Sequence, residues 1–299
     1  MNVKIEKWKD GRKAAFTMHF DDGLKSHIES AIPQLSERGL KGTFYLNPGA
    51  AWFDEKAWFG VANNPNVEFA NHSYTHKGVT NAKEADFEIS KCDEFIRKLR
   101  PELRYPRLIS FQYPGGTKWR ISENEKKLML KKYHLIQRDA TGVRAAGVHL
   151  KTSEELIAIA ENAIRERQNS LITFHGVGAE WHSINLSAFT DLLDFLSEKS
   201  EDIWVTDPIS LHKYKTEFNS GEISISHDDR ETTILALRCG AGELYDEPLT
   251  LSFATENDNR KMRISQNSKE INFRFSENRV YFDVLPDISE IIIKKISWL

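Results

Sequence analysis

Two adjacent acids, Asp21 and Asp22, precede Gly23, and two histidines, His72 and His76, stand four residues apart in His72-Ser73-Tyr74-Thr75-His76. A sharp Asp-Asp-Gly turn can present two carboxylates in diverging directions, so that one binds a cation while the other stays free as a base. An imidazole pair at i, i+4 can face one ion, and with a carboxylate it makes three protein ligands with a coordination position left open. A metal holding water in such a position lowers the water's pKa from 15.7 to around 7, which produces a nucleophile near neutral pH. Asp22, His72 and His76 are then the ligands, and Asp21 is the base. Hydrolysis also needs an acid for the leaving group and a donor for the developing oxyanion. His175, ending the apolar run Leu171-Ile172-Thr173-Phe174, suits the first role. The Gly115 N–H of Pro114-Gly115-Gly116, backbone without side-chain cover, suits the second. Each feature also has a plainer reading: an Asp-Asp-Gly helix cap, a chance histidine pair on a surface helix, a strand-end histidine, a tight glycine turn.

Such residues need a scaffold that gathers them on one rim. Up to about Tyr214 short apolar or β-branched runs alternate with helical periodicity, the pattern of repeated βα units around a parallel sheet. Strands are predicted over 14–20, 42–46, 67–71, 108–113, 135–138, 171–174 and 203–206, and helices over 26–38, 83–99, 122–132, 153–167 and 187–198. In the 153–167 helix Leu156, Ile159, Ala160, Ala163 and Ile164 recur at i+3 and i+4, with Ser153 expected as N-cap ahead of Glu154 and Glu155. Pro33 predicts a kink or two shorter helices within 26–38. Seven such units close into a distorted (β/α)7 barrel, where chemistry sits just past the strand C-termini. There the sequence places His19, Asp21 and Asp22; His72 and His76; Gln112 and the glycines; Arg138 and Asp139; His175; and Asp207.

After Phe218 the periodicity switches to alternation, in Ile223/Ile225, Ile234/Leu237, Leu249/Leu251/Phe253, Ile271/Phe273/Phe275 and Tyr281/Val284. Turn clusters at 219–221 and 256–259 separate these runs. This predicts a smaller all-β, sandwich-like domain. The expected division is 1–215 for the barrel and 216–299 for the β-domain.

Composition narrows the partners. The chain has 299 residues, 40% hydrophobic and 28% charged, and 41 Lys+Arg against 44 Asp+Glu give a net charge of −3. No basic field exists to gather phosphate backbones, so nucleic acid is not an expected partner. No apolar run approaches the ~20 residues of a membrane span. Residues 1–13 lack the apolar stretch of a secretory signal, so the expectation is a cytoplasmic protein or the mature form of an exported one. Cys92 and Cys239 lie in dissimilar segments and are read as two unpaired thiols.

The ordered pieces resemble the polysaccharide deacetylases of carbohydrate esterase family four, over roughly residues 8–212. Phe20-Asp21-Asp22-Gly23 is similar to the family's Thr-Phe-Asp-Asp-Gly, and His72 to His76 is similar to its His-Ser/Thr-x-x-His. Gln112-Tyr113-Pro114-Gly115-Gly116 stands in the place of Arg-x-Pro-Tyr-Gly, the Arg138-Asp139 region in that of the fourth motif, and Leu171 to His175 in that of the leucine-histidine fifth. The resemblance implies that Asp21 is catalytic base, that Asp22, His72 and His76 hold a divalent metal, usually zinc, and that His175 is catalytic acid. The implied reaction removes acetyl groups from an N- or O-acetylated saccharide and releases acetate, with Leu171 or Ile172 packing on the acetyl methyl.

Three departures stand out. His19 replaces a threonine or serine, the tryptophan-bearing fourth motif is absent, and Gln112 replaces the arginine that pairs with the catalytic aspartate in the family. Loss of that cation would raise the pKa of Asp21. Arg138, arriving from the next strand, is expected to supply the missing charge. Trp181 and His182, and less directly Trp52, Trp58 and Phe59, are candidates for a sugar-stacking wall. Three alternatives stay open at this point: a two-His, one-carboxylate iron oxygenase, an amidohydrolase of the same superfamily acting on a small C–N substrate, and a catalytically weak glycan-binding protein.

Overall fold

The computed structural model describes residues 1–138, 144–255, 262–276 and 278–295. In chain order the strands are β1 (Val3–Ile5), β2 (Ala14–Phe20), β3 (Gly42–Leu46), β4 (Val67–Asn71), β5 (Ile109–Phe111), β6 (Leu135–Gln137), β7 (Asn169–Phe174) and β8 (Ile203–Val205). The helices are α1 (Ile32–Glu37), α2 (Glu55–Gly60), α3 (Ala82–Leu99), α4 (Glu123–Lys132), α5 (Ser153–Glu166), α6 (Leu186–Glu198) and α7 (Pro208–Ser220). The remaining strands are β9 (Glu222–Asp228), β10 (Thr232–Arg238), β11 (Leu249–Ala254), β12 (Met262–Gln266), β13 (Lys269–Ile271), β14 (Phe273–Ser276), β15 (Arg279–Val284) and β16 (Ile291–Lys295). Among the described residues no helix is long and apolar enough to cross a membrane.

Residues Ala14–Ile209 form one compact unit. Its seven parallel strands curl into the expected α/β barrel-like sheet, in the order β6-β5-β4-β3-β2-β7 with β8 also on β2. Every residue of β2 is buried, as a strand covered on both faces requires. Alternation assigns the faces. Phe20 stacks on Phe44 and Phe174 and meets Phe189 of α6 edge-on, so the even residues of β2 pack outward against helices. The odd residues, Thr17, His19 and then Asp21, face the interior, where His19 meets Tyr45. No ladder joins β6 to β7 among the described residues. There the segment after β6 contributes a single parallel bridge, Ala145 to Thr173, with Ala146 N–H donating to the Thr173 carbonyl at 2.8 Å.

The first predicted helix divides as Pro33 requires: a π-helical turn at His27–Ala31 passes into α1, whose first turn accommodates the proline. The N-cap of α5 is Thr152 rather than Ser153. Its hydroxyl accepts from Glu155 N–H while the Glu155 side chain reaches back, a capping box one residue upstream of the expected cap. The 108–113 run yields a strand of only three residues, which frees Gln112 to Gly116 to turn across the rim.

The second unit comprises Met1–Lys13 and Ser210–Leu299, where the expected division was 1–215 and 216–299. The N-terminal residues belong here because β1 pairs antiparallel with β11, Val3 opposite Phe253 and Ile5 opposite Leu251. Three residues flanked by charge are too few to show a period in sequence. The unit's strands form two antiparallel sheets, β1-β11-β15-β14 and β13-β12-β16-β10-β9. Leu249, Leu251, Phe253, Val280, Phe282 and Val284 are buried from the first sheet, and Leu235, Leu237, Met262, Ile264, Ile291 and Ile293 from the second. Ile225 is exposed and Ile234 is on the opposite face of β10 from Leu235, where the register with β9 shifts. The predicted 256–259 turn lies outside the described residues.

Candidate active site

Asp22, His72 and His76 each present a ligand atom, and these atoms lie within 4.8 Å of one another. Asp22 Oδ1 is 3.2 Å from His76 Nε2 and 3.5 Å from His72 Nε2. The His72 ring is locked: its Nδ1 is 2.8 Å from the Gln112 backbone carbonyl, which only accepts, so Nδ1 carries the proton and Nε2 keeps its lone pair for the cluster. The Asn47 amide donates to the carbonyls of His72 and Ser73, and Asn71 Oδ1 accepts from Ser73 N–H, pinning the turn that starts the motif. Asp22, Ser73 and His76 all take left-handed backbone, with φ of 78°, 68° and 59°. Non-glycine residues hold that conformation where surrounding contacts impose it, at a cost of about 1 to 3 kcal/mol each. Burial opposes charge on Asp22, yet the two imidazoles hold its carboxyl well below the usual carboxylate range. Asp22 Oδ1 is buried with no hydrogen-bond partner among the described residues while facing two imidazole nitrogens. One carboxylate oxygen and two imidazole nitrogens turned on a common point form a donor set that fits a divalent cation.

Asp21 is held apart from that cluster. Arg138 grips it bidentately, with Nη1 donating to Oδ1 at 2.7 Å and Nη2 to Oδ2 at 2.9 Å. Both side chains are buried. The guanidinium lies 4.6 Å from the Tyr45 ring centroid, stacked where the interior face of β3 meets it. Burial pushes the Asp21 carboxyl up, but Arg138, with His72 and His175, more than offsets this and holds it at about 2. The expected replacement of the missing arginine is therefore a pair in the structure: the cation comes from the end of β6 instead of from position 112. Gln112 lines the cavity, and what it gives the cluster is its backbone carbonyl. Its Oε1 is buried without a hydrogen-bond partner among the described residues.

His175 follows β7, with Nε2 4.0 Å from Asp22 Oδ2 and its ring 5.4 Å from that of His182. Burial lowers its pKa, with Asp21 and Asp22 acting in the opposite sense. Behind it lies a histidine that the sequence reading missed. His27 Nδ1 accepts from Leu24 N–H at 3.2 Å, so Nε2 carries the proton and donates to the His175 carbonyl at 2.7 Å. Fully buried His27 thereby ties the end of β7 to the turn after Gly23. Its only sequence signal was its position five residues past Asp22 on a helix face otherwise packed inward.

These groups surround one cavity of about 700 Å3. Asp21, Asp22, His72, His76, Gln112, Gly115, Arg138, His175, Trp181 and His182 all line it, and so do Val148 and His149 from the segment before α5. That segment approaches the loop after β7 closely. At Gly147, with φ +78°, a Cβ would lie 2.1 Å from the His182 carbonyl oxygen.

Residues 9–133 match the family model for polysaccharide deacetylase. The resemblance read from the motifs is borne out over that stretch, which holds both aspartates, the histidine pair and the glycine turn; Arg138 and His175 lie beyond it. Among solved structures, a family 4 carbohydrate esterase from Streptomyces lividans in complex with acetate is 18% identical, with a TM-score of 0.43 over 64% of this chain and 91% of that one. Peptidoglycan deacetylase PdaC from Bacillus subtilis is 14% identical, with a TM-score of 0.49 over 69% and 94%. A CE4 family pseudoenzyme from Bacillus anthracis is 16% identical, with a TM-score of 0.47, and this chain covers 63% of its length with 64% of its own. A mutant of that pseudoenzyme, with restored enzymatic activity, has 65% of its length covered. No curated protein matches the chain.

Against the deacetylase pattern two expectations need correction. Leu171 does not line the cavity. It pairs with Thr17 two residues before Thr173, about 6.6 Å further from the rim along the strand. Thr173 takes the lining position instead, and apolar cover comes from Ala145 and Val148. Trp58 is fully buried against Phe44 and Phe53, so it is core and not a sugar platform. Trp52 does reach the site, donating from Nε1 to the Asp22 carbonyl at 2.8 Å. Asp139 lies outside the described residues.

Proposed function

We propose that the chain is a metal-dependent hydrolase that removes an acetyl group from an N- or O-acetylated carbohydrate and releases acetate. The observation that carries this reading is the separation of two adjacent carboxylates: Asp22 joins His72 and His76, while Asp21 is paired with Arg138 on the same cavity wall. Residues of a cation site and residues of proton transfer are thus brought within reach of one substrate without competing. A divalent cation held by Asp22, His72 and His76, with zinc the expected metal, would polarise the acetyl carbonyl and bring the pKa of water toward neutrality.

The chain's own residues do the rest. Asp21, fixed by two hydrogen bonds from Arg138, takes a proton from the attacking water as oxygen bonds to the acetyl carbon. The Gly115 N–H, on a stretch of backbone with no side chain over it, is the candidate donor to the developing oxyanion. His175 delivers a proton to the leaving nitrogen or oxygen as its bond to the acetyl carbon breaks. Trp181, His182 and Tyr113 border the space for the sugar.

One observation favours a second division of labour. Both Asp21 oxygens accept from Arg138 and the carboxyl sits at about 2, which makes it a weak base, whereas burial keeps His175 neutral at rest. In that reading His175 takes the proton from water and returns it to the leaving group, and Asp21 stabilises the imidazolium between the two events. The experiment is acetate release from a panel of N-acetyl and O-acetyl saccharides by metal-stripped and zinc-reloaded protein. Zinc-dependent release that Asp21→Asn or His175→Gln abolishes supports the hydrolase. Absence of release despite stoichiometric metal refutes it. If Asp21→Asn keeps a measurable rate with an unchanged acid limb while His175→Gln does not, the second division holds.

A further inference from the structure

We infer that Trp181 is a positioning residue for Asp22: its indole N–H occupies Oδ2, so that Oδ1 alone is turned to His72 and His76. The inference rests on the metal-site reading above. Trp181 Nε1 is 3.0 Å from Asp22 Oδ2, and a second indole, Trp52, donates to the carbonyl of the same residue at 2.8 Å. The two rings meet edge-on at 5.3 Å, and Trp52 also lies edge-on to His76 at 5.9 Å. Two loops that follow different strands therefore bracket one aspartate, one on its carboxylate and one on its main chain.

Asp22 gains from such support because its backbone is left-handed, with φ 78°, a region that aspartate visits more readily than most residues but still at a cost. A carboxylate free to turn about its terminal torsion can offer either oxygen or both. Chelation through both would fill the position that hydrolysis must leave open. The donor is itself anchored. Glu180 accepts from Ser26 N–H at 2.8 Å and from Lys25 N–H at 3.4 Å, and the Trp181 carbonyl accepts from Gly176 N–H at 3.1 Å. Trp181 is 40% exposed, so its loss removes little core.

The test titrates Zn2+ and Co2+ into wild type, Trp181→Phe, Glu180→Ala and His76→Ala by competition with a chromophoric chelator, and records the Co2+ visible spectrum. Trp181→Phe keeps the ring and deletes the donor. The expected result is about a tenfold or greater rise in Kd for the metal, with weaker Co2+ absorption as coordination number increases and no change in Tm of the metal-free protein. Glu180→Ala, which loosens the same contact without touching the indole, should move both readouts in the same direction. Wild-type Kd and spectrum in both variants would overturn the positioning role while leaving the metal site standing. Failure of wild type itself to bind either metal more tightly than His76→Ala would overturn the metal reading and this inference together.

Discussion

Replacing Arg138 by methionine should do more than slow a reaction; it should reverse how the barrel's stability depends on pH. In the native protein Asp21 is held at about 2 against an ordinary 3.8, an advantage worth about 2 kcal/mol at neutral pH that is fully present above about 3.8 and lost as pH falls through about 2. That figure is a net one, since burial pushes the carboxyl up and Arg138 supplies most of the opposing pull. With methionine at 138 the burial penalty is opposed only by the weaker pull of His72 and His175. Removing one partner of a buried ion pair costs about 3 to 5 kcal/mol, and here both partners are buried and share two hydrogen bonds. The variant's carboxyl should take up a proton on folding, so its stability should fall with rising pH across the acidic range where wild type gains. Urea denaturation at about pH 3, 5 and 7, with Asp21→Asn and the double variant completing a cycle, reads this directly. The acid limb of activity should move up by more than about one pH unit. A loss under about 1 kcal/mol at pH 7, additive single and double variants, and an unmoved acid limb would together refute the claim that Arg138 holds the Asp21 charge.

Further outcomes follow from other contacts. His76→Ala should abolish stoichiometric zinc binding by calorimetry yet leave the metal-free Tm within a few degrees, because the half-buried ring packs mainly on Trp52 and His72; unchanged zinc affinity would remove His76 from the ligand set. His27→Leu should lower kcat at least about tenfold with metal stoichiometry retained, since it deletes the hydrogen bond that fixes the His175 carbonyl; wild-type kcat would make His27 purely structural. Gly147→Ala should raise KM more than it lowers kcat, because its Cβ would meet the His182 carbonyl and force the two cavity-lining segments apart; an unaltered KM would show that they separate freely. In the second unit, burial and the nearby Glu247 and Asp246 raise Glu217 to about 7 despite Lys213 and the Glu247 backbone N–H. The folded state therefore favours the protonated acid, and stability should be lost as pH rises from about 4.5 through about 7. Glu217→Gln should raise Tm at about pH 8 and leave it unchanged at about pH 4, and equal Tm at both values would contradict the burial argument.

Much of the barrel was legible because its strands are apolar runs of near-minimal length and its longer helices carry clear 3.6-residue periods. The four acids and imidazoles at Asp21, Asp22, His72 and His76 were legible for a different reason: Asp-Asp-Gly and His-x-x-x-His are local patterns whose spacing is itself the geometry. Contacts that depend on three-dimensional closure were not. His27 has no motif, Glu180 and Trp181 become informative only when their loop folds back on the turn after Asp22, and β1 is a strand only because β11 is beside it. Leu171 shares the interior face with Thr173 but sits two residues deeper, and a run of four apolar or small residues does not say which members stop short of the rim.

The pairing of Arg138 with Asp21 shows which property of the site is constrained. The position that carries arginine in the family's third motif carries Gln112 here, yet a guanidinium still reaches Asp21, from β6 instead of from the residue after β5. A buried charge demands a compensating charge at hydrogen-bonding distance, and the curled sheet brings several strand ends close enough to supply one. The count of charges gives the requirement its direction. Asp21, Asp22 and Arg138 sum to −1, and a divalent cation would bring the site to +1, a total that attack leaves unchanged because the oxyanion's negative charge is matched by the proton that the water gives up to the site. Without Arg138 the cation would already be neutralised by the two aspartates before any charge developed on the substrate. On this argument the arginine keeps Asp21 ionised at a depth where burial opposes it and also preserves the positive balance that favours the oxyanion.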